Sequence, residues 1–223
     1  MQIPALAVPT IAIEASSDRF PVRRIFCVGQ NYAEHAREMG SDPARQPPFF
    51  FCKPADAVVD TGARLPFPPM TQDLHHEVEL VVALGAGGAG TNQQNASAMI
   101  FGYAVGIDLT RRDLQSQAKK AGRPWDMAKG FDRSAPVGPL HMGIPPTRGT
   151  IALTVDGEVR QSGDLGDMIW GVAEILGHLS AYVALAAGDL IFTGTPAGVG
   201  PIRPGQRVQG TLAGVQPIEV IFE

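Results

Sequence analysis

Short apolar blocks, each closed by Gly or Pro, recur along most of this chain, and helical spacing is rare. RRIFCVG, residues 23–29, is the first such block. Others run over 79–84, 101–107, 151–155, 189–193 and 218–222, and all of them predict strands. The Pro-rich segments QPPFFFCKP and LPFPPMTQD flank one more strand-like portion and mark loops and sheet edges. Two longer helices are expected. One is RRDLQSQAKKAG, with Thr110 as N-cap, Asp113 at N3, and Gly122 and Pro124 as the stop. The other covers about 167–183, where Ile169, Val172, Ala173, Leu176 and Leu179 share one face. A shorter helix is expected after Asn31, which with Glu34 forms the pattern of a capping box; Gly40 and Pro43 end it. Strands and helices do not alternate regularly, which disfavours a doubly wound parallel sheet and predicts a strand-rich α+β fold. Residues 1–22 read as a loosely structured arm or edge strand, and residues 23–223 as the body.

Composition narrows the function more than the fold. With 223 residues, 44% hydrophobic and 18% charged, the chain can bury a sizeable core as one domain with a small extension. Its net charge of -4 is made of interspersed acids and bases, with no basic stripe for nucleic acid and no polybasic membrane patch. A small-molecule partner is the remaining expectation. The apolar opening PALAVPTIAI has no basic leader and holds two prolines, and no run approaches a membrane span. Cys27 and Cys52 lack Cys-x-x-Cys spacing and read as reduced core thiols, so a cytoplasmic protein is expected.

The candidate chemistry begins where an apolar strand breaks its own rule. LHHEVELVVALG places Glu77 and Glu79 at alternate positions, hence on one strand face about 7 Å apart at Cα. Unpaired, two such acids at the edge of a core cost several kcal/mol, so a positive partner is required. Asp108 repeats the anomaly at the end of FGYAVGID. Three carboxylates at strand ends, without a thiolate cluster, suit a hard divalent cation, Mg²⁺ or Mn²⁺. Pairing with the chain's arginines is the alternative. His75 and His76 diverge on a strand and show no HExxH spacing, so they belong to a loop or to the surroundings of the site.

In NYAEHARE, His35 and Glu38 fall on one helical face, where a carboxylate can orient an imidazole to activate water; a surface ion pair with Arg37 is the other reading. Lys129 is either a site amine or an ordinary solvated lysine, and Arg112 with Gln115 either faces a cavity or forms a solvated helix face. TGTPAGVG lacks the glycine–lysine pattern of a phosphate loop and reads as a strand-end turn that presents the Thr195 hydroxyl and backbone amides. His141 and His178 read as loop and helix-surface residues, and Asp132-Arg133-Ser134 as a turn.

Taken in order, VGQNYAEHAREMG, FFFCKPADAV, HHEVELVVALG, GYAVGIDLTRRDLQ, GRPWDMAKGFDRSAPVGP, LTVDGEVRQSGD and GDLIFTGTPAGVGP resemble the motifs of the fumarylacetoacetate hydrolase family, from residue 23 to the end. Within it, FPVRRI, HAREMG and FFFCKPADAV are most similar to the short acylpyruvate hydrolases, those acting on fumarylpyruvate in gentisate degradation included. The resemblance implies a mixed β-sandwich roll with a few short helices, in a homodimer. It implies that Glu77, Glu79 and Asp108 hold Mg²⁺ or Mn²⁺, that His35 and Glu38 activate water, and that Lys129, Arg112, Gln115 and Thr195 line the substrate pocket. The implied reaction is carbon–carbon hydrolysis of a 2,4-dioxo acid, fumarylpyruvate giving fumarate and pyruvate. Oxaloacetate decarboxylation, general acylpyruvate hydrolysis and 2-oxo acid isomerisation or tautomerisation are the related alternatives. The family commonly carries Arg where this chain has Gln30, so an anion contact there is not carried over.

Overall fold

A computed structural model describes residues 5–38, 40, 46–91 and 93–223. The strands fall where apolar blocks meet Gly or Pro, and they assemble into a strand-rich α+β fold. A six-stranded mixed sheet runs in the order His141–Met142, Ile100–Ile107, Val78–Leu84, Asp189–Phe192, Arg24–Gly29, Phe49–Lys53. A five-stranded sheet runs Glu158–Asp164, Thr150–Val155, Arg207–Leu212, Ile218–Phe222, Ala63–Leu65. A three-stranded sheet centred on Leu74–His76 joins Thr110–Arg111 and Gly200–Ile202.

Strand Val78–Leu84 is buried along its whole length, and its two faces serve two cores. Val78, Leu80, Val82 and Leu84 pack into the core shared with the five-stranded sheet, among Leu153, Val208 and Val220. Val81 and Ala83 face the other way, onto Ile25, Leu190 and Phe192. Period-two geometry then assigns Glu79 to the face of Val81 and Ala83.

The segment expected as a loose arm or edge strand forms strands from residue 10 onward. Thr10–Ala12 pairs antiparallel with Arg19–Pro21, and this hairpin inserts Ile11 and Phe20 into the second core. Cys27 is buried as expected, but Cys52 is exposed, because it lies on Phe49–Lys53, the edge strand of the large sheet. Among the described residues, no helix is long and apolar enough to cross a membrane.

Three helix starts differ from the sequence expectation, and at two of them the reason is that Asn31 finds partners far along the chain. The first helix is Ala33–Glu38, one residue later than a capping Asn31 requires. Asn31 instead donates from Nδ2 to the carbonyls of Trp170 (2.9 Å) and Thr193 (2.8 Å) and accepts from the Trp170 amide (2.8 Å). Pro43, expected beyond this helix, lies outside the described residues. The second helix is Arg112–Lys120, and Thr110 does not cap it; the Thr110 hydroxyl donates to the Asp108 carbonyl at 3.2 Å. The third, Val172–Tyr182, starts after Gly171, whose amide donates to Glu174 at 3.0 Å. Ile169 and Trp170 precede it, in a bend where their amides donate to the carbonyl and the side-chain oxygen of Asn31.

Candidate active site

Glu77 occupies the break between strands Leu74–His76 and Val78–Leu84, and Asp108 follows strand Ile100–Ile107. Pairing of Val78 with Ile107 brings the two acids together, and the Asp108 amide donates to the Glu77 carbonyl at 2.8 Å. One carboxylate oxygen each from Glu77, Glu79 and Asp108 lies within 4.8 Å of the other two, and all three residues are buried.

The counter-charges are unevenly shared. Lys129 is 2% exposed, so the solvated reading of this lysine is wrong. Its Nζ donates to Glu77 Oε2 (2.7 Å), Asp108 Oδ2 (2.6 Å) and Thr110 Oγ1 (2.6 Å). Arg112 donates to the other oxygen of Glu77 and to Gln115 Oε1, which places both residues at the site rather than in solvent. Lys53, buried, lies 2.8 Å from Asp108 Oδ1 and donates to the backbone carbonyls of Leu109 and Lys129. Glu79 has no cation partner among the described residues; its Oε2 accepts from the Gly194 amide at 2.7 Å.

Titration follows this division. Burial opposes ionisation of Glu77, but Lys129 and Arg112 outweigh it and hold this carboxyl well below the usual range. Burial, Asp108 and Glu77 push the Glu79 carboxyl well above its ordinary value. Burial works against the Lys129 ammonium, yet Asp108 and Glu77 raise its pKa above that of a free lysine. The required positive charge is thus supplied by the chain at Glu77 and Asp108 and is missing at Glu79.

Beside this cluster, His35 Nδ1 meets Glu38 Oε2 at 3.2 Å, and His35 is buried while Glu38 is half-exposed. The turn TGTPAGVG has an anion-holding role, although its anions are the protein's own carboxylates. Gly194 holds Glu79, and the Gly198 amide lies 3.3 and 3.4 Å from the Glu38 oxygens. Gly194 has φ +99°, and a Cβ there would stand 2.6 Å from that of Asn31, so no other residue fits.

One cavity is lined by His35, Glu77, Glu79 and Asp108 on the acid side. Arg112, Gln115, Lys129 and Thr195 line it as well, so of the nine expected site residues only Glu38 stands behind the lining. The free space at its centre is about 30 Å³, enough for a water-sized guest. Phe49, Phe51, Trp125 and Lys129 are shared with an adjoining cavity of about 430 Å³. His75 and His76 form a strand rather than a loop; His75 contacts Asp73 at 2.9 Å and His76 contacts Gln161 at 2.9 Å. His141 lies in a short strand and pairs with Glu14 at 2.8 Å, while His178 packs edge-on against Trp170. Lys53 and Arg111 do not line the cavity: Lys53 is a buried strut, and Arg111 stacks on Phe131 at 4.3 Å. Lys119, which the sequence pattern does not single out, does line it. Its signal is the spacing 112, 115, 119, one face of a helix.

The residues fit a divalent cation. The donor set is all oxygen, and Glu79, buried in it, has no ion-pair partner among the described residues. The fumarylacetoacetate (FAA) hydrolase C-terminal family model matches residues 24–221. The chain belongs to the fumarylacetoacetate hydrolase family. This family member is 48% identical to the protein in the crystal structure of fumarylpyruvate hydrolase from Pseudomonas aeruginosa in complex with Mn²⁺ and pyruvate. The match covers 100% of this chain and 99% of that one, with a TM-score of 0.96. It is 39% identical over 181 residues to a fumarylpyruvate hydrolase from Ralstonia sp, covering 80% of this chain and 94% of the relative. It is also 41% identical over 202 residues to an oxaloacetate tautomerase from Escherichia coli strain K12, covering 87% of this chain and 90% of the relative.

Proposed function

We propose that this family member is a Mg²⁺- or Mn²⁺-dependent hydrolase that cleaves the carbon–carbon bond of acylpyruvates, with fumarylpyruvate as the preferred substrate. The observation that carries the reading is the convergence of the carboxylate trio, Lys129 and the His35–Glu38 pair on one cavity. The trio serves as ligand set, and a bound divalent cation supplies Lewis-acid polarisation of a 2-oxo carbonyl.

The chain's own groups account for the remaining chemistry. Glu38 engages His35 at Nδ1, which leaves Nε2 as the base that takes a proton from water. The hydroxide so formed attacks the 4-carbonyl of the dioxo acid. Collapse of the adduct breaks the bond between C3 and C4; one acid leaves, and the electron pair stays on the three-carbon fragment as an enolate. Lys129, fixed as a buried ammonium, opposes that charge, and protonation at C3 gives pyruvate. The inner space is too small for a seven-carbon acid, so the acyl arm extends past Phe49, Phe51 and Trp125 into the larger cavity.

A second reading, interconversion of enol and keto oxaloacetate, is favoured by the similarity to the oxaloacetate tautomerase. It needs proton transfer at C3 and no attacking water. Incubating the protein with fumarylpyruvate, acetylpyruvate and enol-oxaloacetate under Mg²⁺ or Mn²⁺, with assays for pyruvate and for loss of the enol absorbance, separates the two. Pyruvate release from fumarylpyruvate is expected; enol loss without pyruvate release replaces the hydrolase with the tautomerase. The homodimer implied by the family resemblance belongs to this proposal, and sedimentation equilibrium tests it.

A further inference from the structure

Gln161 lies on strand Glu158–Asp164 of the five-stranded sheet, 1% exposed, and does not line the cavity. Its side chain nevertheless reaches both segments that build the site. The Val78 amide, between Glu77 and Glu79, donates to Gln161 Oε1 at 3.1 Å. Gln161 Nε2 donates to the Pro196 carbonyl at 2.9 Å. A backbone amide cannot accept and a carbonyl cannot donate, so these two contacts fix which end of the side-chain amide is oxygen and which is nitrogen. His76 Nδ1, 2.9 Å from the same oxygen, must then carry a proton.

The consequence falls on Thr195. Gln161 Nε2 also stands 2.8 Å from Thr195 Oγ1, and having only protons to offer, it obliges Thr195 to accept. The hydroxyl proton of Thr195 is therefore directed elsewhere, and no acceptor for it exists among the described residues. Thr195 is 2% exposed, and the space it lines is the cavity that holds the acid trio.

We propose that Gln161 is a positioning residue that commits the Thr195 hydroxyl to donate a hydrogen bond to an oxygen of the bound 2-oxo acid. The inference rests on the reading of the cavity as a 2-oxo acid site, but not on hydrolysis. Without Gln161 the hydroxyl turns freely and is able to spend its proton on the Pro196 carbonyl that the amide now occupies.

The test is a double-mutant cycle of Gln161→Met and Thr195→Val, read as the dissociation constant of pyruvate on Mn²⁺-loaded protein by calorimetry, alongside kcat/KM for acetylpyruvate. Pyruvate is the smallest ligand of the class, and its binding needs no turnover. Thr195→Val is expected to weaken pyruvate about ten- to hundredfold, as loss of a hydrogen bond to a charged acceptor does. Gln161→Met should weaken it several-fold in the native background and by less than about twofold in the Thr195→Val background. Gln161→Glu keeps the size and the Val78 contact while replacing the donor by an acceptor. It should follow the same cycle, and it carries the test if the Met variant does not fold. An equal factor for the Gln161 variants in both backgrounds overturns the inference, as does a wild-type protein that does not bind pyruvate. Wild-type pyruvate binding without cleavage of any acylpyruvate defeats the hydrolase reading and leaves the cycle to decide Gln161.

Discussion

The Gly194 amide donates to Glu79 Oε2 at 2.7 Å, and among the described residues this buried carboxylate has no ion pair beside that hydrogen bond. Its neighbours Glu77 and Asp108 have lysines and an arginine. Glu79→Gln is therefore expected to weaken Mn²⁺ binding by more than the ~10–100-fold that follows loss of an outer-shell partner. The metal-free fold should lose no stability, since the substitution removes an unpaired buried acid. Calorimetric titration with Mn²⁺ and thermal melts in chelator check both halves; a large drop in metal-free melting temperature contradicts the argument.

His35→Ala and Glu38→Gln are expected to cut acylpyruvate cleavage by about 10² to 10⁴ while leaving Mn²⁺ affinity close to that of the parent. His35 meets Glu38 at 3.2 Å, and neither belongs to the acid trio. Single-turnover rates with each variant, set beside metal titrations, separate loss of a base from loss of the ion. Parental turnover in both variants assigns the pair to structure.

Lys119 is the cation of the cavity for which the described residues include no ion pair, whereas Arg112 and Lys129 are already committed to Glu77. Fumarylpyruvate carries a second carboxylate that acetylpyruvate lacks. Lys119→Met is thus expected to lower the ratio of kcat/KM for fumarylpyruvate over acetylpyruvate by about tenfold or more. An unchanged ratio assigns the distal carboxylate to another group, and Arg123 of the outer cavity is the next to vary.

Asp113 carries a pH signature away from the site. Burial pushes its carboxyl up, but the Gln72 amide, the Thr71 hydroxyl and the Leu114 amide together bring it below the ordinary 3.8. A depressed carboxylate contributes stability that is complete above the unfolded value and is lost as pH falls through the folded one. Asp113→Asn should therefore lower stability by about 1 kcal/mol near neutrality, some 2–4 °C in melting temperature. The gap to the parent should close as pH drops below 3.8. Melting curves at several pH values test this, and a gap that widens in acid reverses the sign of the argument.

Much of this was legible in the sequence for one physical reason: burying an acid in an apolar strand is costly, so Glu77, Glu79 and Asp108 stand out wherever strands are recognised. Strands are recognised because their side chains alternate and their ends need Gly or Pro. The polar staples were harder to read. Asn31 has the chemistry of a cap, yet its partners Trp170 and Thr193 lie 139 and 162 residues away, and only folding brings them nearer than its own helix. Gln161 is hidden for the same reason, 85 residues from His76 and 34 from Thr195. Lys119 resembles any surface lysine until the helix carrying Arg112 is docked on the cavity.

The turn from Thr193 to Gly200 grips two acids through two amides, Glu79 at Gly194 and Glu38 at Gly198. An insertion or deletion there shifts Glu79 of the acid trio and Glu38 beside His35 together, so this stretch is closed to gradual diversification. Lys119 and Phe49 sit on other elements and are tied to neither acid. The lining of the cavity has room to change at Lys119 and Phe49, and almost none in the turn.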